Sequence, residues 1–307
     1  MKMRIGLAYS IFGLIAFAAL GITVSLYLIS INALQKTIAI EELSRAEKSY
    51  SVVETIIKEH LQRLSDVSSC LRYHQELNAA IDACQRHGDI AGLRRTMNKI
   101  NESLKSQIFQ VSDTHERVLY RTQAPNQHGD IPALWGVAEA LTGRNLVTAV
   151  NDQGRWELRA IVPAEKDGRI IGSIMIGCPI NDRFARHMNQ GHSQIMIYSL
   201  DRLIAKSSQA TPLSPQEFNP CEKMIIESIK SNRVFHDEHP RLHINHYYKR
   251  LNIADATFGL IVTVDTSGSY HHFERTKFEI AGISGVIFLI ALLLGAGFTK
   301  SLLRPLR

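Results

Sequence analysis

With 307 residues and a mean hydropathy of −0.06, the chain has length for about two ordinary domains. A net charge of +6 and a pI near 9.1 would suit a polyanion partner, but no lysine/arginine block or aromatic–basic alternation is present, so nucleic-acid binding is set aside. Cys70, Cys84, Cys178 and Cys221 form no CxxC pair, which leaves no zinc-ribbon or thioredoxin-like motif.

The chain opens on Lys2 and Arg4, then runs apolar from Ile5 to Ile31, 27 residues where a bilayer core needs roughly 20. A signal peptide cut near Ala16-Phe17-Ala18 is the alternative. Its apolar region would be only about 7–15 residues, whereas this run continues through Leu20, Ile22, Val24, Leu26 and Leu28. An uncleaved anchor is therefore expected. From Asn32 to about Ser69 the positions Ile40, Leu43, Ala46, Val53, Ile56, Ile57, Leu61 and Leu64 recur mostly three or four apart, which predicts one long helix continuing the span. A second helical stretch runs from Gln75 to Leu104, broken near His87-Gly88-Asp89. Cys70 and Cys84 would either bridge across that turn or stay free thiols.

At Gln107 the period changes from 3.6 to 2. Residues 108–113 and 117–122 read as a hairpin, 131–141 as a short helix closed by Gly143, and 145–150 as a strand. Arg155–Pro163 and Arg169–Gly177 are strands joined by the Lys166-Asp167-Gly168 turn, the second apolar enough to be buried on both faces. The order then repeats: a hairpin over 194–199 and 203–207, a helix over 217–231, and strands over 233–237, 242–251 and 257–265. The last element is Ile280–Phe298, 19 residues without a charge, carrying Gly282, Gly285, Gly295 and Gly297 as small spacers where helices can approach. Lys300, Arg304 and Arg307 follow it. By the positive-inside rule both termini face the cytoplasm and residues 33–279 lie outside, in a bacterial periplasm or the extracellular space.

Val111-Ser-Asp113, Val118-Leu-Tyr-Arg-Thr122, Pro125, Gly129-Asp130, Ala140-Leu-Thr-Gly143, Leu158-Arg-Ala-Ile-Val-Pro163, Gly168-Arg-Ile-Ile-Gly172 and Ile176-Gly177 together resemble the first module of a double Cache sensor, a pair of extracytoplasmic PAS-like modules on one long helix. The second module matches only in outline. Thr299 to Arg307, with Pro305-Leu306, resembles the opening of a HAMP linker. The expected fold is α+β: two transmembrane helices flanking a long helix that carries two five-stranded antiparallel sheets. The expected divisions are 1–32 (N-terminus and first span), 33–106 (helical), 107–191 (membrane-distal module), 192–267 (membrane-proximal module), 268–299 (second span) and 300–307 (linker). No kinase, methyl-accepting helix or nucleotide cyclase can be read, so the chain is either a fragment or signals through a partner.

The resemblance implies a ligand pocket between the distal sheet and its covering segment, and Asp113, Arg121, Trp135 and Arg159 are the residues expected to line it. Arginine clamps a carboxylate with two parallel hydrogen bonds, tryptophan gives a flat wall, and Asp113 would meet an amine. The implied ligand is a small organic acid, amino acid or amine, with no cofactor. A homodimer is expected from the apolar stripe of the long helix. His236, His239, His243 and His246 carry metal-binding chemistry, but His243 and His246 would face opposite sides of one strand, so no metal site is assigned. There is no GxSxG, HExxH, P-loop or GxGxxG, so no enzyme is assigned either. The alternatives are a membrane-anchored periplasmic hydrolase and an adaptor that docks another envelope protein.

Overall fold

The computed structural model describes residues 2–131, 136–152, 154–189, 193–199, 202–207, 215–231, 233–239 and 244–303. Its architecture is α+β, with two five-stranded antiparallel sheets and helices before, between and after them. It divides into two compact units. One comprises residues 46–238 and 246–264. The other holds both ends of the chain, 1–45 and 265–307, with 239–245.

In the unit of the chain ends, the first part of α1 (Lys2–Arg72) and α7 (Ser267–Leu303) each contain an apolar stretch long enough to cross a bilayer. Leu14, Phe17 and Ile22 on α1 and Ile283, Leu293 and Leu294 on α7 expose most of their side chains. The two helices run close at one point, where a Cβ added to Gly295 would meet the Ile15 side chain at 3.0 Å.

In the larger unit, α1 from Ala46 onward turns Tyr50, Val53, Ile56 and Ile57 into the core. After it come α2 (Gln75–His87) and α3 (Ile90–Leu104). Each starts on a side-chain cap: His74 accepts from the Leu77 amide and Asp89 from the Gly92 amide, filling donors that a helix start leaves open. Gly88, at φ 71°, ends α2, because a residue without Cβ takes the left-handed conformation at no steric cost.

The first sheet comprises β1 (Ile108–Ser112), β2 (Val118–Arg121), β3 (Leu146–Asp152), β4 (Arg155–Lys166) and β5 (Arg169–Pro179), in the order β2-β1-β5-β4-β3. Strands alternate their side chains between faces. On one face Phe109, Val111, Ala160, Val162, Ile174 and Ile176 pack against α1, α2 and α3. On the other, Ile108, Ile161 and Met175 meet Val137 and Ala140 of the short α4 (Val137–Leu141). β5 is thus buried on both sides, as its apolar sequence predicts. The Cys70–Cys84 alternative resolves to free thiols, Cys70 exposed and Cys84 buried in α2.

The second sheet repeats the plan with β6 (Gln194–Tyr198), β7 (Leu203–Lys206), β8 (Phe235–His239), β9 (Ile244–Ile253) and β10 (Ala256–Asp265), in the order β7-β6-β10-β9-β8, with α6 (Pro215–Ser231) before β8. Between the sheets lies α5 (Asp182–Met188), which the sequence reading did not anticipate. Asn181 caps it, accepting from the Arg183 and Phe184 amides, and Phe184, Ala185 and Met188 are buried.

Candidate functional site

The strand register assembles the face of the first sheet opposite the long helix. Arg121 pairs with Gln110, which pairs with Met175, then Ile161, then Leu146. The adjacent row holds Ile108, Gly177, Arg159 and Thr148. Directly paired residues share a face, so Arg121 and Arg159 point to the same side, the side that α4 covers. Three interstrand spacings, about 14 Å, and a two-residue step along the strand, about 7 Å, separate their backbones. Gly177 leaves the space before Arg159 open. A Cβ there would collide with the Leu158 carbonyl oxygen, so β4 and β5 approach too closely for any larger residue.

Arg159 is 5% exposed. Its Nε donates to Glu157 Oε2 at 2.8 Å and its Nη2 to Asp152 Oδ2 at 3.0 Å. Its Nη1 is buried and has no hydrogen-bond partner among the described residues. Arg121 repeats the pattern. Its Nη2 donates to Asp130 Oδ2 at 2.8 Å, while its Nε is buried without a partner among the described residues. Asp130 is brought there by the backbone, since Gly129 N donates to Val118 O and Val118 N to Asp130 O, which extends the edge of β2. The hydrogen bond from Arg121 holds the Asp130 carboxyl below the ordinary range.

A buried N–H without an acceptor carries the full cost of its lost hydration. Two guanidinium donors in that condition on one face make a place for an acceptor. Asp130, Asp152 and Glu157 surround them, so an ammonium group could be met there too. Asp113 is otherwise engaged: its Oδ1 accepts from the His115 and Arg117 amides and closes the β1–β2 turn. Trp135 lies outside the described residues. Of the four histidines, His246 is buried and lies 2.9 Å from Thr263 Oγ1, and His236 stacks on Tyr247. His243 and the His239 side chain lie outside the described residues.

Sequence reasoning missed Asp130, Asp152 and Glu157. Glu157 had a visible signal: it stands two residues before Arg159, and positions i and i+2 of a strand share a face. Asp130 had none at the level of pattern, because a loop residue carries no period.

No family model and no curated protein matches the chain. Solved structures do. A domain of a sensory box/GGDEF family protein from Vibrio parahaemolyticus is similar over 74% of this chain and 97% of its own, at 13% identity and TM-score 0.55. The extracellular domain of a histidine kinase is similar over 78% and 96%, at 12% identity and TM-score 0.56. The ligand-binding domain of the Pseudomonas aeruginosa amino acid chemoreceptor PctC, solved with GABA, covers 73% and 100% at 12% identity and TM-score 0.45. The fold is thus the one that sensory domains of a GGDEF family protein and a histidine kinase share, the double Cache plan that the sequence resembles.

Proposed function

We propose that this chain is the input part of a bacterial inner-membrane receptor, whose distal module binds a small carboxylate-bearing ligand, an organic acid or amino acid, against Arg121 and Arg159. One observation carries the reading: two arginines on one sheet face each keep a buried donor unfilled among the described residues, although acidic neighbours already hold them in place. A carboxylate would fill both kinds of need, and an amino acid's ammonium would suit the carboxylates alongside. Trp135 remains the wall in this proposal, and an amine would meet Asp130, Asp152 or Glu157 in place of Asp113, whose Oδ1 closes the β1–β2 turn.

The apolar stretches of α1 and α7 are read as the two spans, with residues 33–279 outside and both termini in the cytoplasm. Their exposed leucines, isoleucines and phenylalanine require an apolar solvent. The long helix would carry both modules, a homodimer would pair two such helices, and ligand binding would reach the cytoplasm as a small shift of α7.

The test is a thermal-shift screen of the full chain in nanodiscs against organic acids, amino acids and amines. A ligand that raises Tm, and whose effect Arg121→Gln abolishes while far-UV circular dichroism is unchanged, supports the site. A ligand effect untouched by Arg121→Gln and Arg159→Gln would remove these residues from it. The topology is checked separately: a reporter active only in the periplasm, inserted near residue 150, should be active.

A further inference from the structure

A cleft of about 330 Å³ lies on the opposite side of the first sheet, between α1, the end of α3 with the loop after it, and β5. Its size falls at the lower end of the range for small-molecule sites, about 300–1,000 Å³. The floor is apolar, built by Leu64 and Val67 from α1, Leu104 from α3 and Ile176 from β5. Around it stand three basic side chains, His60, Arg63 and Lys105, and no carboxylate lines it.

The positions of these groups follow from the chain. Lys105 sits at φ 52°, in the left-handed conformation that ends α3, and this places it at the cleft rather than on a further helical turn. Neither the Arg63 nor the Lys105 side chain has an ion-pair or hydrogen-bond partner among the described residues. His60 Nε2 lies 3.4 Å from Cys178 Sγ at the inner end. Burial, with Glu157 nearby, pushes the Cys178 thiol up to about 11, so it stays protonated and can donate to the imidazole. Burial above all, with lesser contributions from His187 and Arg63, holds the His60 pKa below the usual value. Two cations thus stand at the rim of an apolar floor without an ion pair among the described residues.

We propose that this cleft is a second ligand site, distinct from the Arg121–Arg159 face, which takes a small organic anion with an apolar body. The carboxylate would lie between Arg63 and Lys105, and the body on Leu64, Val67, Leu104 and Ile176. One wall is the long helix and another the sheet, so an occupant would join the two directly. This inference does not rest on the distal-face reading.

The probe is para-fluorobenzoate, followed by fluorine NMR on the full chain in nanodiscs carrying Arg121→Gln, which disables the other face. Saturable binding is expected, weakened about tenfold or more by Arg63→Gln with Lys105→Gln, since both charged hydrogen bonds to the carboxylate are lost. Both substituted residues are exposed, so folding should be unaffected. The uncharged para-fluorobenzamide should not bind. Absence of saturable binding, equal binding by the double variant, or equal binding of the amide would each overturn the proposal. Loss of binding with Arg121→Gln alone would assign the probe to the other face and overturn it as well.

Discussion

Arg159 is held by two carboxylates in a setting with little solvent, and that arrangement is asymmetric in energy. A buried ion pair adds little to stability, but removing one partner leaves the other charge uncompensated. Arg159→Leu should therefore cost about 2–3 kcal/mol in urea unfolding, because Glu157 is also largely buried. Glu157→Gln in the same background should recover part of that loss. No recovery would mean that the two side chains do not act on each other. His60 gives a prediction in pH. Its folded pKa lies below the unfolded value, so the unfolded chain binds more protons in the interval between them. Stability should fall as pH drops through about 6.5 and level off below the folded pKa. In His60→Gln the slope of Tm against pH across that interval should be shallower; an unchanged slope would assign it to other groups.

At the scale of elements, α1 passes from exposed apolar residues to a core-facing stripe within one helix. Ile57 is 3% exposed, whereas Ile40 is 67% exposed. Ile57→Ala should cost about 2–4 kcal/mol, and Ile40→Ala about 0.5 kcal/mol or less. The reverse order in chemical denaturation would mean that the stripe facing the core has been misplaced. From Ala46 onward that stripe was visible in the sequence because buried helical positions recur at three and four, whereas Ile40 and Leu43, which fit the same spacing, are exposed. The strands were legible for the same kind of reason: Arg169–Gly177 is apolar without alternation, and the structure buries it on both faces from Gly172 onward. Element ends were less clear. β4 runs to Lys166, beyond the expected Pro163: Pro163 and Ala164 still pair in register with Ser173 and Gly172, and the ladder shifts by a bulge only after Ala164. The helix α5 was missed because seven residues give too short a window for a period, and its start depends on one asparagine cap. The arginines of the candidate face were named from resemblance. Their acidic partners depend on register, which pattern alone does not fix.

At the scale of the larger unit, the question is whether the two sheets respond together. They share one hydrophobic core, in which Trp156 of β4 meets Phe258 of β10 edge-on with ring centroids 4.8 Å apart. A polar latch adds to it. Asp255, in the β9–β10 turn, accepts from Thr148 Oγ1 at 2.9 and 3.0 Å and from the Ala149 amide at 2.9 Å, both on β3. Thr148 is the register partner of Arg159, so the latch lies on the candidate ligand face, one strand away from Arg159. Asp255→Ala would strand a buried hydroxyl and a buried amide, a loss of about 1–3 kcal/mol located at the contact between the sheets. A penalty at a contact weakens cooperativity more than one inside either sheet. Calorimetry should then show the single unfolding transition broadening or dividing in two. Arg202 also bridges the sheets, donating to Gly154 O at 2.6 Å, but it is exposed. Arg202→Ala should leave one transition, shifted only slightly. If both variants behave alike, the latch is no more than a surface contact, and the apolar core alone joins the modules.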